Sequence, residues 1–236
     1  AKGLTLRIVK SPIKDKLETL YKLLGELKGE SALVFCNQRE SVERVSNYLT
    51  EMGVDNEYFH GGMEQPERER ALSLFRNGSA SVFISTDLAS RGLDIPEVKN
   101  VIHYHLPINE EAFIHRNGRT ARMNAEGNAF MILNEIETVP EYITREPDEF
   151  FLPEKAKKPL RSEWVTLTIN RGKRDKLSKK DVVDFLFQKG GLDKDDLGVV
   201  EIKESCAYAA VKRDKKEGLL ARIREEKIKN MKAKFI

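Results

Sequence analysis

Hydrophobic positions in the first two thirds of the chain switch repeatedly between two periods. Lys14 to Leu27 and Glu40 to Met52 space their apolar residues by three and four, which predicts amphipathic helices. Between them lie short apolar runs rich in β-branched and aromatic residues: Ala32-Leu33-Val34-Phe35-Cys36, Glu57-Tyr58-Phe59-His60, Ser81-Val82-Phe83-Ile84-Ser85 and Ala129-Phe130-Met131-Ile132-Leu133. These read as strands, as does Val98 to Pro107. Strand followed by helix, repeated, predicts an α/β unit: a parallel sheet covered by helices on both faces.

Pro147 to Pro159 carries three prolines and the run Glu154-Lys155-Ala156-Lys157-Lys158, and reads as a linker. The pattern then changes. Val165, Leu167 and Ile169 alternate with threonines as a half-buried strand, and Ser178 with Asp181 forms a capping box for a helix through Leu186. Gly190-Gly191 ends that helix; Val199 to Ile202, Cys206 to Val211, a helix from Glu217 to Lys227 and a short strand over Ala233-Lys234-Phe235-Ile236 follow. The order β-α-β-β-α-β in a short segment predicts a small α+β unit of the split βαβ type, shared by RNA-recognition domains and ferredoxin-like folds. The expected boundaries are 1–152 for the first domain, 153–160 for the linker and 161–236 for the second domain.

Composition adds a compartment and a polarity. No apolar run approaches the length of a membrane helix, and Ala1-Lys2-Gly3-Leu4-Thr5 has no signal-peptide layout, so an intracellular, cytoplasmic protein is expected. Cys36 and Cys206 lie far apart inside apolar runs, as buried free thiols do. The His103-Tyr104-His105 alternation has no accompanying carboxylate or cysteine and reads as strand rather than metal site. The net charge of +3 hides a division: residues 161–236 hold 20 Lys and Arg against 13 Asp and Glu, a net of +7, which leaves −4 on residues 1–160. The basic end is where nucleic acid should settle.

The densest candidate chemistry is His115-Arg116-Asn117-Gly118-Arg119-Thr120-Ala121-Arg122. Were the stretch helical, His115, Arg119 and Arg122 would leave one face, and two guanidinium forks side by side match a polyphosphate. Two other candidates fall at carboxyl ends of predicted strands, where parallel sheets bind ligands. In Ser85-Thr86-Asp87-Leu88-Ala89-Ser90-Arg91-Gly92-Leu93-Asp94, Thr86 and the amides after it suit a phosphate, Gly92 permits close backbone approach, and Asp94 suits a sugar hydroxyl. In His60-Gly61-Gly62 followed by Gln65-Pro66-Glu67-Arg68, the glycines admit a nucleic-acid backbone and Arg68 lies one turn from Gln65. Singly, each reads equally as a helix cap or a glycine turn.

Taken together, Val34-Phe35-Cys36-Asn37, Gln65-x-x-Arg68, Thr86-Asp87-x-Ala89-x-Arg91-Gly92-x-Asp94 and His115-Arg116-x-Gly118-Arg119-x-x-Arg122 resemble motifs IV, Q-x-x-R, V with Va, and VI of the DEAD-box RNA helicases. The resemblance spans roughly Leu4 to Leu152, the family's second RecA-like domain. It implies that Arg119 and Arg122 are arginine fingers on the ATP γ-phosphate and that Asp94 meets the ribose. His115 would couple two domains, while Gly62, Arg68 and Thr86 would follow the RNA phosphates. Asn117 stands where the family commonly has isoleucine, and Ala121 where it commonly has glycine. Neither a phosphate loop nor a magnesium-holding Asp-Glu-Ala-Asp run occurs, so the Mg2+ that accompanies ATP is expected on a missing N-terminal RecA-like domain. The chain is read as a carboxyl-terminal piece that hydrolyses no ATP alone.

Thr166 to Lys176 with Gly191-Leu192 and Asp195-Asp196-Leu197-Gly198 resembles the auxiliary, RRM-like RNA-binding domain of DbpA-type DEAD-box helicases, which implies ribosomal RNA as partner. Tyr208 is the one aromatic offered by the expected central strand, with Trp164 a second; RNA is therefore also expected on Arg171, Lys173, Arg174 and Lys176 and on Lys227, Lys229, Lys232 and Lys234. The competing reading is an RNA-binding scaffold with a retired motor fold; a third is a DNA translocase.

Overall fold

The computed structural model describes residues 3–123 and 125–236. Two units divide the chain: Ala1–Leu72 with Ser81–Arg161, and Ser73–Ala80 with Ser162–Ile236.

The first unit is built on β1 (Leu4–Lys10), β2 (Ala32–Cys36), β3 (Asn56–Phe59), β4 (Val82–Thr86), β5 (Asn100–His103), β6 (Gly127–Leu133) and β7 (Asp148–Glu149). They stand in the order β3-β4-β2-β5-β6-β1-β7, with every neighbouring pair parallel. All five residues of β2 are buried, as expected for a strand covered on both faces. One face packs Val34, Ile84, Ile102 and Phe130 against α1 (Leu17–Glu26) and α2 (Arg39–Glu51), which contribute Leu20, Leu23, Val42, Val45 and Leu49. The helix read from Lys14 begins only at Leu17, and Lys16 before it is buried. Its Nζ donates to the Tyr104 and Ile132 carbonyls at 2.9 and 2.7 Å and lies 2.6 Å from Glu137. On the other sheet face Phe113 of α5 (Glu110–Asn117) packs against Ile8, Met131 and Leu133, with α4 (Asp87–Arg91) following β4 directly; α3 (Gln65–Arg76) contributes to both units.

The expected linker is bound instead of free. β7 pairs with β1, the Phe150 amide donates to the Ile8 carbonyl at 2.8 Å, and Phe150 meets Phe130 edge to face. Downstream, Lys22 donates to the Glu154 carbonyl, Lys157 pairs with Glu26, and a Cβ at Gly25 would overlap the Lys157 carbonyl. The absence of a side chain at Gly25 lets this strap lie flat on α1. The first unit therefore extends to Arg161.

The second unit carries an antiparallel sheet in the order β8-β10-β9, from β8 (Trp164–Ile169), β9 (Leu197–Ile202) and β10 (Ala207–Lys212). α6 (Lys179–Gln188) and α7 (Lys216–Ile223) enclose a core of Leu167, Ile169, Val182, Phe185, Leu186, Ala209, Val211, Leu219 and Ile223. The capping box forms as read: Ser178 Oγ accepts from the Asp181 amide at 3.1 Å and Asp181 accepts from the Ser178 amide at 2.8 Å. Two expectations change. α7 stops at Ile223 because Ile228 and Met231 exchange backbone bonds across Lys229 and Asn230, both in left-handed conformation (φ 49° and 62°). That is the geometry of a tight hairpin turn. The terminal strand reduces to a bridge from Phe235 to Ile169, with Ile236 bonded to Thr168 in both directions.

Candidate nucleotide and nucleic-acid site

The carboxyl ends of β2, β4 and β5 converge on one side chain that sequence reading assigned no role. Arg116 is 1% exposed, and its Nε and Nη2 donate to the two Asp87 oxygens at 2.7 Å each. Nη2 also donates to Asn37 Oδ1 at 2.7 Å, Nη1 to the His105 carbonyl at 2.7 Å, and the guanidinium lies 5.1 Å from the centre of the Phe35 ring. Nη1 lies 3.4 Å from His103 Nδ1. A guanidinium only donates, so Nδ1 faces it as a lone pair and the imidazole proton sits on Nε2. Nε2 then donates to Asn117 Oδ1 at 2.8 Å. Asn117, the departure from the family pattern, is the acceptor that a buried histidine needs. Burial, followed by the charge of Arg116, lowers the His103 pKa from 6.5 to about 3.

Arg119 and Arg122 contrast with Arg116. α5 ends at Asn117, Gly118 caps it, and Arg119 and Thr120 continue in tighter i to i+3 turns that Thr120 Oγ1 anchors to the Val98 carbonyl at 2.5 Å. The shared helical face for His115, Arg119 and Arg122 is thus corrected: His115 projects from the helix, and the two arginines leave the turn that follows. Ala121 closes that turn at φ 54°, where glycine sits without strain. Arg119 Nη2 donates to the Ser90 carbonyl at 2.8 Å, and Arg122 Nε to the Gly118 carbonyl at 2.8 Å. Among the described residues neither forms a salt bridge. Burial and the neighbouring Arg122 pull the Arg119 pKa down, and the Asp94 charge opposes them. Asp94 and His115 are exposed.

A second concavity of about 260 Å³ is lined by Arg39, Phe59, Gly61, Arg68, Thr86 and Gly92, among others. Thr86 caps α4 by accepting from the Ala89 amide at 3.3 Å. A Cβ at Gly92 would meet only the Ala89 carbonyl, at 3.8 Å, so nothing within the chain demands glycine there. Arg68 lies 4.9 Å from the centre of the Phe59 ring and donates to the Met63 and Gly61 carbonyls at 2.8 and 3.3 Å. Gly62 is exposed, and its amide donates inward to His60. Arg39 was missed by sequence reading. Its signal was position: it opens the helix that follows β2 at the ligand-binding edge of the sheet.

In the second unit the loop from Arg171 to Lys176 closes on the turn between β9 and β10. The Lys173 and Arg174 amides donate to the Lys203 and Glu204 carbonyls at 2.8 and 3.0 Å, and a Cβ at Gly172 would lie 2.7 Å from the Cys206 amide nitrogen. Lys229 Nζ donates to the Lys176 carbonyl at 2.6 Å, which brings the basic tail to the same loop. Lys173, Arg174, Lys176, Lys227, Lys229, Lys232 and Lys234 are exposed, and Arg171 is half-buried. Tyr208 is corrected as a stacking platform: it is 6% exposed. It shares its sheet face with Thr166 and Glu201, which bond Asn77, Ser79, Ser73 and Arg76 of the same unit. Among the described residues no group of His, Cys, Asp and Glu could hold a metal ion, and no helix is long and apolar enough to cross a membrane.

A parallel α/β lobe with a paired-arginine turn at its ligand edge, joined to a small antiparallel α+β unit, is the layout of a nucleic-acid motor's second lobe with an RNA-binding appendage. Comparison with known proteins agrees in both units. Residues 15–124 match the helicase conserved C-terminal domain, and residues 166–235 match the DbpA RNA-binding domain. The ATP-dependent RNA helicase DbpA of Bacillus subtilis is 28% identical over 89% of this chain and 51% of the relative; that of Escherichia coli is 33% identical over 84% and 45%. The E. coli DEAD-box protein SrmB, in its crystal structure with regulator of ribonuclease activity A, superposes with a TM-score of 0.58. It is 30% identical over 69% of this chain and 98% of that one. The chain belongs to the DEAD-box helicase family, carrying the family's C-terminal RecA-like domain followed by an RNA-binding domain of the DbpA type. It spans about half the length of the curated relatives it matches.

Proposed function

We propose that the chain is the C-terminal portion of an ATP-dependent RNA helicase, supplying arginine fingers and RNA-backbone contacts, and that its second unit targets structured RNA, ribosomal RNA in particular, in the cytoplasm. The observation that carries the reading is the contrast among three arginines. Arg116 is buried with every donor direction used, while the guanidinium groups of Arg119 and Arg122 donate only to main-chain carbonyls and have no carboxylate partner among the described residues. Two adjacent cations left unpaired at the ligand edge of a parallel sheet are complementary to a polyphosphate. Exposed Asp94 has no hydrogen-bond partner for its carboxylate among the described residues and can accept from a ribose. ATP supplies the phosphoryl group whose transfer the longer protein catalyses, and Mg2+ is assigned to the N-terminal RecA-like domain outside this chain. When that domain closes on ATP and RNA, Arg119 and Arg122 complete the γ-phosphate pocket, and Arg39, Arg68 and Thr86 grip RNA phosphates. The names of the DbpA relatives and the basic loops of the second unit support RNA as partner.

In the complete protein, Arg119→Ala lowers RNA-stimulated ATP turnover by a factor of about 10³ to 10⁵. RNA binding through the second unit stays within a factor of about two, since the change leaves every basic side chain there in place. Normal turnover in that variant refutes the finger role, and a complete protein with no turnover at all supports a retired scaffold.

A further inference from the structure

The glycine turn after β3 is held from behind by a dyad that the proposed function leaves unused. The Gly62 amide donates to His60 Nδ1 at 3.0 Å, and His60 Nε2 lies 2.8 Å from Glu43 Oε1 on α2. A carboxylate only accepts, so Nε2 carries the proton, and Nδ1 is the bare nitrogen that receives Gly62. The ring is buried and stacks on Tyr58 with centroids 5.9 Å apart. Both polar atoms of the imidazole are therefore committed, one to the turn and one to α2. The consequence reaches the pocket. With the Gly62 amide turned inward and the Gly61 carbonyl held by Arg68, the Arg39 guanidinium lies so close across the turn that a Cβ at Gly61 would meet its Nη2 at 2.8 Å. Among the described residues the Arg39 guanidinium has no hydrogen-bond or ion-pair partner.

We infer that Glu43 and His60 are positioning residues for RNA: through the Gly62 amide they hold the glycine turn in the shape that seats Arg39 and Arg68 around a phosphate. The inference rests on the proposed reading of that pocket as an RNA-backbone site. Side-chain cations alone do not define a phosphate grip; the backbone between them must be fixed, and a single tautomer of one histidine fixes it here.

The test uses the 236-residue chain with Lys173, Arg174 and Lys176 changed to glutamate, so that the second unit contributes little. The probe is a fluorescein-labelled decauridylate followed by anisotropy. His60→Gln retains a donor toward Glu43 but loses the acceptor for Gly62; His60→Asn places Oδ1 where Nδ1 stood and keeps that acceptor. Expected are a weakening of about tenfold for His60→Gln, as for loss of roughly one positioned hydrogen bond, and recovery to within about threefold for His60→Asn. In ¹⁵N spectra the wild-type imidazole shows a protonated Nε2 and a bare Nδ1, and Glu43→Gln mixes the two tautomers. A purely structural histidine would lower the thermal midpoint in both variants without separating their affinities, and that result overturns the inference. If His60→Gln does not fold, Glu43→Gln carries the test, and wild-type affinity in it overturns the inference equally. Should Arg39→Ala and Arg68→Ala both bind decauridylate as the parent does, the pocket reading itself has failed.

Discussion

At the scale of single residues, the two departures from the family's arginine motif have opposite explanations. Asn117 belongs to a pair. Replacing it with isoleucine leaves the His103 Nε2–H buried without an acceptor, which costs about 1–3 kcal/mol. Exchanging both, His103→Leu with Asn117→Ile, removes that unpaired N–H but also takes the Nδ1 acceptor from Arg116, so it restores only part of the loss. Urea unfolding of the single and double variants measures the difference, and equal stability of both refutes the pairing. Ala121 is instead a compromise. Its left-handed backbone costs a side-chain-bearing residue about 1 kcal/mol, and its buried methyl returns about 0.8 kcal/mol. Ala121→Gly is therefore expected within about 0.5 kcal/mol of the parent, whereas Ala121→Val, branched at a positive φ, destabilises by about 2 kcal/mol. The same denaturation experiment separates them.

At the scale of elements, periodicity exposed what packs by side chains and missed what is held by backbone. Strand β2 is a continuous apolar run whose bounds match the sequence reading, while β4 is shifted by one residue and β6 begins two residues earlier; the strap from Asp148 to Arg161 has no period, because it is held by a strand edge and through its own main-chain carbonyls, Glu154 accepting from Lys22 of α1 and Lys157 lying on Gly25. The arginine motif was legible as chemistry but not as geometry. Sequence shows three arginines in seven residues with nothing to mark Arg116 as the buried one, since its partner Asp87 lies 29 positions away. Tyr208 failed for a similar reason: an aromatic in a central strand looks the same whether its sheet face is open or covered. In the second unit, the loop seated by Gly172 makes a prediction of its own. Glutamate at Lys173, Arg174 and Lys176 together lowers affinity for an RNA hairpin strongly at about 50 mM salt and reduces the salt slope by about one for each phosphate no longer neutralised. Gly172→Ala, whose methyl has no room against the β9–β10 turn, weakens binding in the same direction without changing charge. Unchanged RNA titrations in both variants remove this loop from the interface.

For the whole molecule, buried imidazoles set the response to acid. The folded His103 pKa of about 3 lies below its unfolded value of about 6.5, so between those limits the unfolded chain binds the extra proton. Stability is complete above pH 6.5 and falls as the pH drops, by about 1.4 kcal/mol per unit for this one group. His105, pushed down to about 4 by burial and by Lys16 and Arg116, acts in the same direction. A His103→Leu, Asn117→Ile chain shows a shallower decline of melting temperature between about pH 6.5 and 4, and an identical profile contradicts the assignment. A last consequence belongs to Arg116. Its acceptors come from Asn37, Asp87 and His105, segments far apart along the chain, and none of them alone compensates the cost of taking a cation out of water. A half-assembled sheet would hold that charge stranded, so intermediates lacking any one of these strands are penalised, and the lobe is driven to fold and to melt as a single cooperative event.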